Sequence, residues 1–135
     1  MNEDAGLSGA SAPALLVVDD NALNLRLLGD VLSTRYAVTL VRSGEAALRA
    51  ARETPFDLIL MDVQMPGMSG TEAMRTLKRD PNWRVPILAV TALAMQGDEG
   101  QLLEAGFDGY VSKPIAYKAL LSTVASYLEH RPSVK

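Results

Sequence analysis

Apolar residues in this chain come in short runs separated by stretches with helical spacing. Leu15-Leu16-Val17-Val18, Leu58-Ile59-Leu60-Met61 and Ile87-Leu88-Ala89-Val90 are apolar throughout, as expected of strands covered on both faces of a parallel sheet. A run at 37–41 carries Thr39 among its apolar residues and suits a sheet edge, and Tyr110-Val111-Ser112 forms a fifth run. Strands are therefore expected at 14–18, 37–41, 58–61, 86–90 and 109–112. Between them lie helical patterns. The first follows Asn21 and places Leu25, Leu28, Val31 and Leu32 on one face; the others are expected near 45–53, 70–80, 97–105 and 117–129. Ser69-Gly70-Thr71-Glu72 reads as a capping box opening the third helix, and Pro81 follows where that helix should stop. Strands alternating with helices predict βαβ units around a parallel sheet.

Four of these runs end on polar residues of different kinds. The first leads into Asp19-Asp20, the third into Asp62, the fourth into Thr91 and the fifth into Lys113. In a parallel sheet all of these groups reach one rim, where open α/β sheets bind ligands. Three carboxylates crowded together resist ionisation unless a cation joins them, and magnesium takes such hard oxygen ligands while keeping phosphate oxygens in its shell. An aspartate carboxylate can attack phosphorus and form an aspartyl phosphate. Asp62 is the candidate nucleophile, standing alone after a central strand and before the Met65-Pro66-Gly67 loop, with Asp19 and Asp20 as metal holders. Lys113 would offset charge on the phosphoryl oxygens and Thr91 would donate a hydroxyl. Lys113-Pro114 is the candidate cis bond, because X–Pro bonds tolerate that geometry at little cost.

Composition narrows the field. A chain of 135 residues suits one domain, and the absence of cysteine excludes disulfides, thiolate catalysis and zinc sites built on sulfur. A net charge of −3 with scattered Lys and Arg offers no footprint for nucleic acid. No apolar run nears the ~20 residues of a membrane span, so a cytoplasmic protein is expected. Residues 1–13 read as a flexible arm, 14–130 as the folded domain and 131–135 as a tail. The single histidine, His130, stands near that tail without a helical bundle to support a phosphorelay role, so the phosphoryl donor is expected to be another molecule.

The ordered set Asp19-Asp20, Leu58 to Gly70 around Asp62, Val90-Thr91-Ala92 and Tyr110-Val111-Ser112-Lys113-Pro114-Ile115 resembles the receiver domain of two-component response regulators, from about Ala14 to Glu129. The resemblance implies a doubly wound, flavodoxin-like (βα)5 fold with strand order 2-1-3-4-5. It implies transfer of a phosphoryl group from a sensor histidine kinase or phosphotransfer protein onto Asp62. It also implies magnesium held by Asp19, Asp20, Asp62 and the backbone carbonyl of Gln64, a switch pair of Thr91 and Tyr110, and Lys113 as phosphate partner. Output would be contact of the fourth helix, the Tyr110 strand and the fifth helix with a downstream protein, without nucleic acid or membrane. Several stretches look most like DivK-type stand-alone regulators and the receivers of hybrid histidine kinases, and both readings stay open. A metal-dependent phosphatase of the haloacid-dehalogenase type is the alternative from another class. Its pattern needs a second Asp two residues after the nucleophile, where this chain has Gln64, so a switch rather than an enzyme is expected.

Overall fold

The computed structural model describes residues 12–92 and 98–130. Five strands and five helices alternate: β1 (Ala14–Val18), α1 (Ala22–Leu32), β2 (Ala37–Val41), α2 (Gly44–Glu53), β3 (Leu58–Asp62), α3 (Gly70–Lys78), β4 (Ile87–Thr91), α4 (Asp98–Ala105), β5 (Gly109–Ser112) and α5 (Tyr117–His130). All neighbouring strands are parallel, in the order β2-β1-β3-β4-β5, which is the flavodoxin-like 2-1-3-4-5 arrangement. The order reverses between β1 and β3, so a crevice opens beyond their carboxyl ends.

Strand alternation splits the core in two. Leu16, Val18, Ile59, Met61, Ile87 and Ala89 face one side and pack with residues of α2, α3 and α4. Leu15, Val17, Leu58, Leu60, Leu88 and Val90 face the other and pack against α1 and α5. β1, β3 and β4 are almost wholly buried, and each such side chain removed from water contributes roughly 1.5–3 kcal/mol. β2, at the edge, is largely exposed.

Some bounds differ from the pattern-based expectation. β3 runs one residue further and includes Asp62, which pairs with Val90. β4 starts at Ile87, because Pro86 has no N–H for the ladder; its carbonyl still accepts from Ile59 N at 3.0 Å. α3 stops at Lys78 with Arg79 as C-cap, and the Ser69–Glu72 capping box is present in both directions. On α1, Gly29 rather than Val31 joins Leu25, Leu28 and Leu32 in the buried set. α5 includes His130. The expected start of α4 at 97, most of the arm and the tail lie outside the described residues.

The amino-terminal rim is tied by structural acids. Asp57 Oδ2 accepts from Ala14 N at 2.8 Å; Asp108 Oδ2 accepts from Ile87 N at 2.8 Å and pairs with Lys78 Nζ at 2.9 Å. Trp83 belongs to this end, with Nε1 donating to Val85 O at 2.7 Å. Among the described residues no helix is long and apolar enough to cross a membrane.

Candidate functional site

The same alternation that builds the core loads the opposite rim. On β1 the positions Leu15 and Val17 face α1 and α5, and the next position of that parity is Asp19. On β3 the series Leu58, Leu60 leads to Asp62, and Val111 leads to Lys113. Three apolar ladders therefore deliver two carboxylates and an ammonium where the strands run out. Asp19, Asp62 and Thr91 are the buried polar side chains among the described residues.

Carboxylate oxygens of Asp19, Asp20 and Asp62 lie within 4.8 Å of one another. Lys113 Nζ stands 3.5 Å from Asp19 Oδ2 and 3.5 Å from Asp62 Oδ1. Among the described residues one ammonium stands beside the three carboxylates, which leaves the cluster short of positive charge. Accordingly the Asp62 carboxyl is pushed up from 3.8 to about 6, first by burial and then by the Asp19 charge, against the opposing pull of Lys113 and the Gln64 N–H. A largely buried set of hard oxygens with too little positive charge beside it fits magnesium in donor type and in charge.

Local turns hold these carboxylates in place. Asp19 Oδ1 accepts from Asn21 N at 2.9 Å, and Asn21 caps α1 by accepting from Asn24 N at 2.9 Å. Asp62 Oδ1 accepts from Gln64 N at 3.3 Å, which brings the Gln64 main chain to the cluster. After Gly67, whose φ of 76° suits glycine, the loop closes back on itself as Gly70 N donates to Val63 O at 2.9 Å. On the other side Lys113 N donates to Thr91 O at 3.0 Å, and the Lys113–Pro114 bond is cis.

The two residues expected to form a switch are placed differently from the cluster. Thr91 continues the Ile87–Ala89 parity and so belongs to the α3 and α4 face, buried. Tyr110 pairs with Ala89 and shares that face, but is 38% exposed. The rim thus gathers Asp19, Asp20, Asp62, Lys113 and the Gln64 main chain, with Thr91 beside them and Tyr110 outside.

Three further contacts are not visible in the run pattern. Asn24 Nδ2 reaches Asp19 Oδ2 at 3.5 Å, and Arg42 Nη2 donates to Asp20 O at 3.1 Å. Gly70 packs so closely that a Cβ there would overlap the carbonyl oxygen of Asp62. Asn24 has a sequence signal, a polar residue in the first turn of a helix that starts at the rim. Arg42 and Gly70 depend on tertiary approach.

Comparison with known proteins agrees with this geometry. The family described as the response regulator receiver domain matches residues 15–125. The polar-differentiation response regulator DivK of Brucella ovis (strain ATCC 25840 / 63/290 / NCTC 10512) is 44% identical over 117 residues, covering 85% of this chain and 95% of that protein. A receiver domain of a sensor histidine kinase from Pseudomonas aeruginosa PAO1, solved with a magnesium ion coordinated in its active-site cleft, is 36% identical with a TM-score of 0.80, covering 88% of this chain and 99% of that one. The chemotaxis response regulator CheY4 of Vibrio cholerae is 27% identical with a TM-score of 0.80, covering 87% and 99%. With its parallel sheet, its acidic rim and most of its length matched, the chain belongs to the response regulator receiver domain family of two-component signalling.

Proposed function

We propose that this protein is a phosphoacceptor switch in a two-component phosphorelay, with Asp62 as the accepting residue. The observation that carries this reading is the buried Asp62 carboxylate at a central strand end, flanked by Asp19 and Asp20 within 4.8 Å and by Lys113 at 3.5 Å. The donor is the phosphohistidine of a sensor histidine kinase or phosphotransfer protein. An Asp62 oxygen attacks phosphorus in line, the phosphorus–nitrogen bond breaks, and the imidazole leaves and takes up a proton.

Asp19, Asp20, Asp62 and the Gln64 carbonyl are the residues that would hold magnesium, the ion seen in the Pseudomonas aeruginosa relative. When bound, it supplies positive charge to the phosphoryl oxygens. Lys113, already paired with Asp62, transfers its contact to a phosphoryl oxygen as the carboxylate charge is used in the new bond. Thr91 turns its hydroxyl to another phosphoryl oxygen, and Tyr110 follows it inward. The surface that changes is α4, β5 and α5, which signals by contact with a downstream protein in the cytoplasm. The receiver domain spans 14–130, and the protein works as a switch without turning over a substrate of its own.

Labelling from a phosphohistidine donor tests this. The native chain is expected to gain base-labile acyl phosphate in the presence of magnesium and Asp62→Asn none. Undiminished labelling of that variant would move the acceptor elsewhere.

A further inference from the structure

We infer that the free edge of the sheet is a docking site for an extended, acid-flanked segment of another protein, which adds to β2 as a sixth strand. β2 is the outermost strand among the described residues, and its sequence Ala37-Val38-Thr39-Leu40-Val41 contains no charge, proline or glycine. Edge strands are normally blunted by such residues or by a bulge, since an open row of backbone groups is a template for pairing. Here the β-forming edge is left plain.

The ladder shows which groups face outward. Ala37 N donates to Pro13 O at 2.9 Å and Val41 O accepts from Asp19 N at 3.2 Å, so the 37, 39, 41 parity spends its backbone groups on β1. Val38 and Leu40 therefore turn their N–H and C=O to the open edge. Their side chains line one wall of a groove of about 470 Å³, whose other wall is Leu25, Arg26 and Gly29 of α1. Leu40 lies across Gly29 and is still 42% exposed. An added strand would satisfy both outward residues and send alternate side chains toward this groove.

Charge selects the occupant. Exposed arginines, Arg35 and Arg42, bracket the strand, and Arg26 joins Arg42 on the groove, whose lining holds one carboxylate, Asp30; Asp20 lies beyond the lining, with its carbonyl accepting from Arg42. A second copy is disfavoured, because antiparallel pairing brings Arg35 of each chain to the Arg42 end of the other and parallel pairing aligns like with like. The chain's own residues 1–11 include Glu3 and Asp4 but lack an alternating β-forming stretch. A foreign segment with about five alternating apolar residues between Asp or Glu pairs fits both the backbone and the arginines.

The probe is a synthetic peptide of alternating valine and threonine with paired glutamates at both ends, beside a twin with paired lysines. With the full chain, the glutamate peptide is expected to slow amide exchange at Val38 and Leu40 by roughly tenfold or more and to shift the resonances of β2 and α1. The lysine twin should bind at least about tenfold more weakly. Leu40→Pro removes an outward N–H together with the side chain that lies across Gly29, and Leu40→Lys guards the edge; both should abolish peptide binding and leave labelling of Asp62 intact. If Leu40→Pro fails to fold, Leu40→Lys alone decides. Absence of protection at millimolar peptide, equal binding of the two peptides, or unimpaired binding by Leu40→Lys would overturn the proposal. So would protection in the free protein that grows with its concentration, which assigns the edge to a second copy, or that vanishes on removal of residues 1–11, which assigns it to the arm.

Discussion

Lys113 holds its ammonium 3.5 Å from Asp62 Oδ1, the carboxylate that also stands beside those of Asp19 and Asp20. The lysine and a bound divalent cation serve the same carboxylates, so they compete. Lys113→Met should tighten magnesium binding by about tenfold, the scale of one lost like charge at partly screened range. The same change should slow labelling, because the growing phosphoryl charge loses a partner. Magnesium titrations followed at the Asp62 and Gln64 amides check the first effect; Trp83 belongs to the far rim and should respond little. Weaker metal binding in the variant would show that Lys113 positions the carboxylates more than it repels the cation.

The raised Asp62 carboxyl makes stability depend on pH in a defined direction. Its value in the metal-free fold, about 6, lies above the ordinary 3.8, so the fold holds a proton that the unfolded chain has released across that interval. Stability from this group is complete below about pH 4 and is lost as pH rises through 6. Asp62→Asn should therefore stabilise the metal-free protein near pH 7.5 by on the order of 2 kcal/mol and by little near pH 4. Urea denaturation with chelator at the two pH values measures this. Added magnesium should stabilise the native chain more than the variant, and a variant without advantage at neutral pH would mean that the buried carboxylate is better compensated than its neighbours suggest.

Much of the fold was legible because a parallel sheet buried on both faces needs continuous apolar runs, and β1, β3 and β4 are such runs. Edge placement of β2 followed from Thr39, and the third helix's start from Ser69 and Glu72. Helix ends were less legible, since whether Lys78 or Asp80 closes α3 depends on the turn that leads to Trp83. The gathering of Asp19, Asp62 and Lys113 at one rim could be read because each follows an apolar run. Arg42 on the Asp20 carbonyl and Gly70 on the Asp62 carbonyl could not, because each joins segments remote in sequence or folded back by a loop.

Gly70 is a position where one methyl group should be felt at Asp62. A Cβ would overlap the Asp62 carbonyl oxygen and crowd Val63 Cα at 2.9 Å, both main-chain atoms without freedom to rotate away. Gly70→Ala should thus shift the β3 end or open the loop, destabilising the protein by about 1–3 kcal/mol. Because Gln64 N holds Asp62 Oδ1 through the same loop, magnesium affinity and labelling should fall further than in a variant of equal stability loss far from the rim, such as Trp83→Leu. Equal losses in the two variants would reduce Gly70 to a packing role.

Thr91 is buried at the end of β4, whereas Tyr110, paired with Ala89 on the same face of the sheet, stays 38% exposed. If the Thr91 hydroxyl moves to a phosphoryl oxygen, space opens on that face beside Ala89, and burying the Tyr110 ring there is favoured by the apolar area it removes from water. Thr91→Ala should still accept the phosphoryl group, since the carboxylates and Lys113 are untouched. The exposure of Tyr110 and the grip on the downstream protein should then no longer change on labelling, because the space beside Ala89 is open in both states and nothing links the phosphate to the ring. Selectively labelled tyrosine, with Tyr110→Phe to assign the signal, reports ring exposure before and after labelling of Asp62. A change in Tyr110 exposure on labelling of Thr91→Ala as large as in the native chain would remove Thr91 from the switch and leave the ring responding to the site by another route.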